Sequence, residues 1–337
     1  MNFCCSIINK VKVHSLSDTA LISVVVPAFN SESFILITLA RIVRSLESLG
    51  NPFELVIVND GSSDSTWKVL QQQAKVDVRI IAINLLKNYG QHSALMCGLR
   101  HSSGQYVVTL DDDLQNPPEE IPRLLNFCAE GDFDLVIGEF KEPKKARFRM
   151  FGTNVVNRVV TRVFDKPSDL KLSTFRVIRR DVVERVCQSS NPTPYITGEL
   201  LFAAASVSNL DVRHDERIVG KSTYNPFRLF ELMRRITFSY SIDLLRIACR
   251  IGTFTSVFAF VLSLVMLIRG LILNGVVPGW TSMLTTISFF SGMIILLLSM
   301  IGEYLSVVLL QTLGTPAYRE AGIVKKGQFV DTRSTNL

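Results

Sequence analysis

The sequence predicts a doubly wound α/β domain followed by membrane-associated helices, and three observations predict it. From Leu21 to about Asp215, short β-branched runs alternate with amphipathic helical stretches. The runs are nearly continuous in Val and Ile, as expected of strands buried on both faces of a mostly parallel sheet covered by helices. After Arg250 the pattern gives way to two long apolar stretches, each near the length that crosses a bilayer.

The expected strands, in order, are Ile22–Val26, Phe53–Val58, Val78–Ile83, Tyr106–Leu110 and Asp134–Ile137. Between them, Ser33–Leu49, Asp64–Ala74, Gln91–Ser102 and Pro118–Glu130 carry apolar residues at helical spacing. Asp64 has the character of a helix N-cap. In Pro226–Arg250, Leu229, Met233, Ile236, Tyr240, Leu244 and Ile247 recur on one face, opposite a polar face with Arg235 and Arg246. That segment suits either a helix in the membrane interface or one packed on the α/β domain.

The apolar stretches Ile251–Ile268 and Met283–Ile301 are uncharged, and a short connection with Pro278, Gly279 and Trp280 joins them. They read as a transmembrane hairpin. Arginines precede it (Arg234, Arg235, Arg246, Arg250) and Arg319, Lys325 and Lys326 follow, so the positive-inside rule puts both chain ends in the cytoplasm. Arg269 falls at the far mouth, where it can snorkel. Met1–Asp18 has no apolar run long enough for a signal peptide, so the α/β domain should stay on the side where it is made. The expected organisation is a tail over 1–20, the α/β domain over 21–220, interfacial helices over 221–250, two spans (about 251–269 and 283–301) with an amphipathic extension within 251–310, and a cytoplasmic tail over 311–337.

The charge sum of +6 over 337 residues fits anionic partners such as phosphates or an acidic leaflet, and is too small to imply nucleic acid. The six cysteines form no CxxC pair and the four histidines are equally dispersed, so the reading is free thiols in a reducing compartment without a Cys/His zinc site.

Chemistry concentrates just beyond strand ends, where open α/β sheets bind ligands. Asn59-Asp60-Gly61-Ser62-Ser63-Asp64 forms a tight turn in which Asp60 could accept a hydrogen bond from a nucleobase. Asp111-Asp112-Asp113-Leu114-Gln115 follows a buried strand. Three consecutive carboxylates repel one another and call for a cation. In an extended segment alternate residues point the same way, so Asp111 and Asp113 could face one ligand. Carboxylates with an amide oxygen suit Mg²⁺ or Mn²⁺. A basic set (Lys141, Lys144, Lys145, Arg147, Arg149, then Arg217, Lys221) suits phosphates.

These pieces together resemble family 2 glycosyltransferases of the GT-A fold, in the polyprenyl-phosphate glycosyltransferase branch. The matching stretches are SVVVPAFN (Ser23–Asn30), VNDGSSD (Val58–Asp64), NYGQHSALMCG (Asn88–Gly98), LDDDLQNPPE (Leu110–Glu119), ERIVGKSTY (Glu216–Tyr224) and Gly302-Glu303-Tyr304. The resemblance implies a Rossmann-like sheet with helices on both faces, interfacial helices and a two-helix transmembrane hairpin. It implies that Pro27, Phe29, Asn30, Glu32, Asp60, Asp111 and Asp112 bind the nucleotide sugar. Asp111, Asp113 and Gln115 would hold Mg²⁺ or Mn²⁺, with Asp113 and Arg217 catalytic. Lys141, Arg149, Thr153, Lys221 and Ser222 would meet the acceptor phosphate. The implied partners are a nucleotide-sugar donor, with uridine favoured over guanosine, undecaprenyl phosphate and the membrane; a homo-oligomer and a flippase partner are compatible with it.

Two positions depart from the branch. Ser173-Thr174-Phe175-Arg176-Val177 carries Thr174 where GDFRL has a carboxylate, and Thr223 replaces the Lys of an SKY element. A processive polysaccharide synthase would carry more spans and a QxxRW segment, which the sequence lacks. A degenerate membrane scaffold finds its best support in Thr174 and its main objection in the intact Asp111–Gln115 element. A nucleotidyltransferase would want a glycine-rich basic loop at Pro27–Ser33, and none is there.

Overall fold

The computed structural model of the protein describes residues 16–140, 161, 164, 170–189, 191–213, 247, 250–255, 257–258, 261, 279–314 and 316–332. The chain forms two compact units, Met1–Tyr224 with Pro316–Leu337, and Asn225–Thr315.

Among the described residues, the first unit is built on a nine-stranded mixed sheet. Its strands are β1 (Ile22–Ala28), β2 (Phe53–Asn59), β3 (Ile80–Leu85), β4 (Tyr106–Thr109), β5 (Leu135–Phe140), β6 (Arg176–Arg179), β7 (Val207–Val212), β8 (Glu320–Lys325) and β9 (Gln328–Val330). Their spatial order is β7-β5-β6-β4-β1-β2-β3-β8-β9. The central strands are parallel: Val24 stands opposite Leu55 on one side and Val108 on the other, and Val56 opposite Ile81. β6 runs antiparallel between β4 and β5, and β8 runs antiparallel to β3.

The expected helices are present as α1 (Ile35–Glu47), α2 (Thr66–Val76), α3 (Gln91–His101), a 3₁₀ turn at Pro118–Glu120 and α4 (Ile121–Glu130). α5 (Arg180–Cys187) and α6 (Ile196–Ala203) add to them. Alternate residues of β1 explain the double layer. Ile22, Val24 and Val26 join one apolar cluster with Ile35, Leu39, Leu70 and Leu124 from α1, α2 and α4. Val25 joins the opposite cluster with Leu95 and Leu99 of α3, Val182 of α5 and Ile196 of α6. A strand with both faces covered has no solvent side to mark with polar residues, so its sequence is an unbroken apolar run.

Three differences from the sequence reading stand out. β6 and β7 were not anticipated; both are short and carry polar residues. The segment expected to be a C-terminal tail instead returns to the sheet as β8 and β9, with Ile83 opposite Ile323 and Leu86 N donating to Arg319 O at 2.8 Å. That pairing joins positions more than two hundred residues apart, and β-pairing at such range leaves little local trace. Asp64 does not cap α2 directly: Ser65 is the N-cap residue, and Asp64 accepts from Thr66 N at 3.0 Å and Thr66 Oγ1 at 2.6 Å from one position earlier.

In the second unit, α7 (Trp280–Thr312) is a 33-residue helix. Among the described residues one stretch is long and apolar enough to cross a membrane, Phe289–Leu310, with mean hydropathy 2.3. The helix continues through Gly302-Glu303-Tyr304, so this stretch reaches further toward the C-terminus than the expected Met283–Ile301. The first expected span is described only in part, and the expected interfacial helices lie almost wholly outside the described residues.

Candidate active site

The parallel strands β1, β2, β3 and β4 end along one edge of the sheet; the chain runs from β1 to β2 and β3 on one side, then crosses back through α3 to β4 on the other side of β1. A crevice forms where strand order reverses in this way, and ligands of open α/β sheets bind there. Here the crevice lies between the loop after β1 (Phe29–Phe34) and the loop after β4 (Leu110–Pro117).

Asp112 closes its floor. Its carboxylate accepts from Phe29 N at 3.3 Å and from the hydroxyl of Ser31, while its carbonyl accepts from Thr38 Oγ1 at 2.9 Å. Burial lifts the Asp112 carboxyl to about 6, against those hydrogen bonds and with Asp111 and Asp113 adding repulsion. The side chain expected to touch the donor is therefore engaged as a brace between the two loops.

Asp111 is held elsewhere. Gln91 Nε2, in the first turn of α3, donates to Asp111 Oδ1 at 2.5 Å, and Thr174 Oγ1 donates to Oδ2 at 2.7 Å. Thr174 is itself fixed, since its carbonyl accepts from Thr109 Oγ1 at 2.7 Å. Asp113 Oδ1 accepts from Gln115 N at 3.2 Å across Leu114. Leu114 is buried with φ +61°, a left-handed conformation disfavoured for a residue with a Cβ. Asn30, on the facing loop, has φ +54°. Strained residues of this kind persist where the surroundings over-determine them, often beside binding sites.

The loops after β1 and β2 are tied together. Asn30 N donates to Ser62 Oγ at 2.9 Å, and Asn30 Oδ1 accepts from Ser63 N at 2.9 Å. Glu32 Oε2 accepts from Ser65 N at 3.0 Å at the start of α2. Pro27 lies on β1 opposite Val58, and the Phe29 ring is 48% exposed, leaving a face on which a base could stack.

Asp60, expected to meet a nucleobase, is buried. Its two oxygens accept from Tyr89 N at 2.7 Å and Gly90 N at 2.9 Å. It thus anchors the loop that leads into Gln91. Gly61 beside it has φ +64°, and a Cβ there would collide with the backbone of Lys87 and Asn88, so the approach of the β2 and β3 loops requires glycine.

Behind Thr174, Arg176 on β6 is a buried cation whose Nη atoms donate to Thr197 Oγ1 at 3.3 and 3.4 Å. Burial pushes its guanidinium down to about 10, with Tyr195 and Asp111 opposing that shift, so it stays charged at neutral pH within electrostatic reach of Asp111. Neither Gln91 nor Arg176 was singled out from sequence, although Gln91 lies in a stretch that carries the resemblance and Arg176 in the one that departs from it at Thr174. Arg217, Lys141, Arg149, Thr153, Lys221 and Ser222 lie outside the described residues.

The donors that the loop after β4 carries are hard oxygens: the carboxylates of Asp111 and Asp113 and the amide of Gln115. This set fits Mg²⁺ or Mn²⁺. A thiol or imidazole that would favour softer ions is absent from Asp111–Gln115 itself.

The family model for glycosyl transferase family 2 matches residues 23–187. The undecaprenyl-phosphate 4-deoxy-4-formamido-L-arabinose transferase of Proteus mirabilis is 31% identical over 300 residues, covering 88% of this chain and 92% of that protein. The protein of the same name from Pectobacterium carotovorum is 30% identical over 306 residues, covering 90% and 93%. Among solved structures, glucosyl-3-phosphoglycerate synthase from Mycobacterium tuberculosis, in complex with Mn²⁺, UDP and phosphoglyceric acid, is similar with a TM-score of 0.47 and 18% identity over 65% of this chain and 76% of that one.

Proposed function

Since the chain belongs to glycosyl transferase family 2 and is a glycosyltransferase, we propose that it transfers a sugar from a UDP-sugar to a polyprenyl phosphate, with undecaprenyl phosphate as the acceptor and inversion at the anomeric carbon. The observation that carries this reading is the aspartate loop at the strand-order reversal, with Asp111 oriented by Gln91 and Thr174 while Asp112 is turned into the floor. Relatives named for transfer to undecaprenyl phosphate, matched over nearly their whole length, support the acceptor.

Asp111, Asp113 and Gln115 would hold Mg²⁺ or Mn²⁺, which supplies neutralisation of the donor diphosphate when bound. Phe29 offers its exposed ring to the base, and the Asn30–Ser63 pairing fixes the loop that carries it. In the transfer, a phosphate oxygen of the lipid attacks the anomeric carbon as the bond to the nucleoside diphosphate breaks. Arg217 would meet the charge that builds on the leaving group. Lys141, Arg149, Thr153, Lys221 and Ser222 would hold the acceptor phosphate. That phosphate has a second pKa of about 6 and is already largely ionised near neutrality, so the reaction needs little help from a general base. Thr174 in place of the branch's carboxylate is compatible with this chemistry, and its hydroxyl positions Asp111 instead. The apolar helix α7 supports a site near a bilayer, and we place the catalytic unit on the cytoplasmic side with two spans.

The test uses purified full-length protein with undecaprenyl phosphate, Mg²⁺ or Mn²⁺, and a panel of UDP-sugars that begins with the formamido-arabinose donor suggested by the relatives. Sugar-labelled lipid is the readout. Asp113→Ala should abolish product while the protein stays folded. Full activity in that variant would remove the metal role, and no product from any donor would overturn the assignment.

A further inference from the structure

At the far end of α3 from Gln91, a second cluster of metal-ligating side chains sits beneath strand β8. Cys97 and His101 are four residues apart on α3 and so project from one face of the helix. Glu320, the first residue of β8, meets both: its Oε1 lies 2.8 Å from His101 Nε2 and 3.6 Å from Cys97 Sγ. One ligand atom from each of the three lies within 4.8 Å of the other two. His101 is ten positions from Gln91, about 15 Å by the helical rise, so this cluster is separate from the aspartate crevice.

Although the dispersed cysteines and histidines argue from sequence against a Cys/His zinc site, we propose that Cys97, His101 and Glu320 form a binding site for a borderline-soft divalent cation of the Zn²⁺ class, which fastens the returning strand β8 to helix α3. One thiolate, one imidazole and one carboxylate are the donor types that Zn²⁺ takes. Bond lengths of 2.0–2.3 Å to a tetrahedral ion imply ligand separations of roughly 3.4–3.6 Å. The Cys97–Glu320 distance already matches. The His101–Glu320 contact has to open by about 0.6 Å on that same geometry, a small rotation of a carboxylate.

The charge balance also fits. A divalent ion with one thiolate and one carboxylate leaves no net charge to bury. Arg100, which acts electrostatically on both Cys97 and Glu320, also donates to the Ser189 carbonyl at 3.0 Å and lies 5.7 Å from the Tyr318 ring centroid. A cavity of about 440 Å³, lined by Arg100, Pro316, Tyr318, Arg319 and Glu320, reaches the cluster at Glu320, and a water entering there would supply the fourth ligand. Burial holds the Cys97 thiol protonated in the metal-free protein. Binding therefore breaks the S–H bond, forms a metal–sulfur bond and releases one proton to solvent.

The test is a titration of metal-free, full-length protein with Co²⁺ under reducing, anaerobic conditions. A thiolate–Co²⁺ charge-transfer band in the near ultraviolet should grow and saturate at one ion per chain, and Zn²⁺ should bleach it. Oxygen ligands give no such band, so Asp113→Ala should retain it. Cys97→Ser should lose it. His101→Ala and Glu320→Gln, which keep the thiol, should weaken binding by more than about tenfold. Absence of the band in the folded wild-type protein would overturn the proposal, leaving the three side chains joined by hydrogen bonds alone. Persistence of the band in Cys97→Ser, or unchanged affinity in both ligand variants, would overturn it equally. None of these outcomes depends on the sugar-transfer reading.

Discussion

Replacing Asp60 with Asn separates two roles that sequence alone leaves together. If the carboxylate served the donor base, Asn would raise the donor KM and leave stability unchanged. The structure assigns both oxygens to backbone amides, Tyr89 N at 2.7 Å and Gly90 N at 2.9 Å, in a buried position. Asn keeps one acceptor and presents an NH₂ to the other amide, so one buried N–H loses its partner. That costs roughly 1–3 kcal/mol. Taking about 2 kcal/mol, a unit of some 150–250 residues should lose about 4–8 °C in Tm. Because Gly90 precedes Gln91, the same change should loosen the hydrogen bond from Gln91 to Asp111 and lower kcat. The pH dependence adds a sign. Burial, the largest influence, raises the Asp60 carboxyl above its ordinary value despite the two amides. A raised folded pKa means the protonated form is favoured in the folded state. Its stabilising contribution is full below about pH 4 and fades as pH rises through the folded value. The wild type should therefore lose stability as pH rises across that range, whereas Asp60→Asn, with no titrating group at this position, should not show that loss. Thermal melts of the purified protein across that range, paired with steady-state kinetics, read both effects. Unchanged Tm with a raised donor KM would refute the structural reasoning.

Gly61→Ala should destabilise the same region by about 2–4 kcal/mol, since it combines a left-handed conformation with a backbone collision; chemical denaturation measures it, and a neutral result would show that the loops can part. Thr174→Val removes the hydroxyl that donates to Asp111 at 2.7 Å, about 1.4 kcal/mol of orientation or a tenfold fall in kcat/KM, with the fold intact; a wild-type rate removes Thr174 from the site. Arg41 grips Glu119 at 2.7 and 2.9 Å and holds its carboxyl below the usual range. The pair is partly exposed, so Glu119→Gln should cost no more than about 1 kcal/mol. That stabilisation is present above the unfolded carboxyl pKa and vanishes as pH falls through the depressed folded value, so the variant and wild type should converge in Tm on acidification.

The order of the central strands and helices was legible because each is a local pattern. Ile22–Val26, Phe53–Val58 and Tyr106–Leu110 are buried on both faces, and an apolar run says so without reference to any partner. The Asp111–Gln115 element was legible for a related reason: three adjacent carboxylates are costly unless something compensates them, and a strand end is where a ligand can. What faces what was not legible. That Asp112 turns to Phe29 and Ser31 while Asp111 is held by Gln91 and Thr174 depends on loops that the sheet brings together from four separate strands.

The sequence by itself determined the alternation of strands and helices, the acidic loop, the family it belongs to and the apolar character of the C-terminal third. Only the tertiary structure decided that Glu320–Lys325 returns to pair with β3, that Asp60 serves the backbone, and that Cys97, His101 and Glu320 converge. The physical reason is one of range. Periodicity and burial act on neighbours along the chain and are written in short windows. Strand pairing and side-chain convergence depend on contacts between distant segments, and a window of sequence carries no record of its partner.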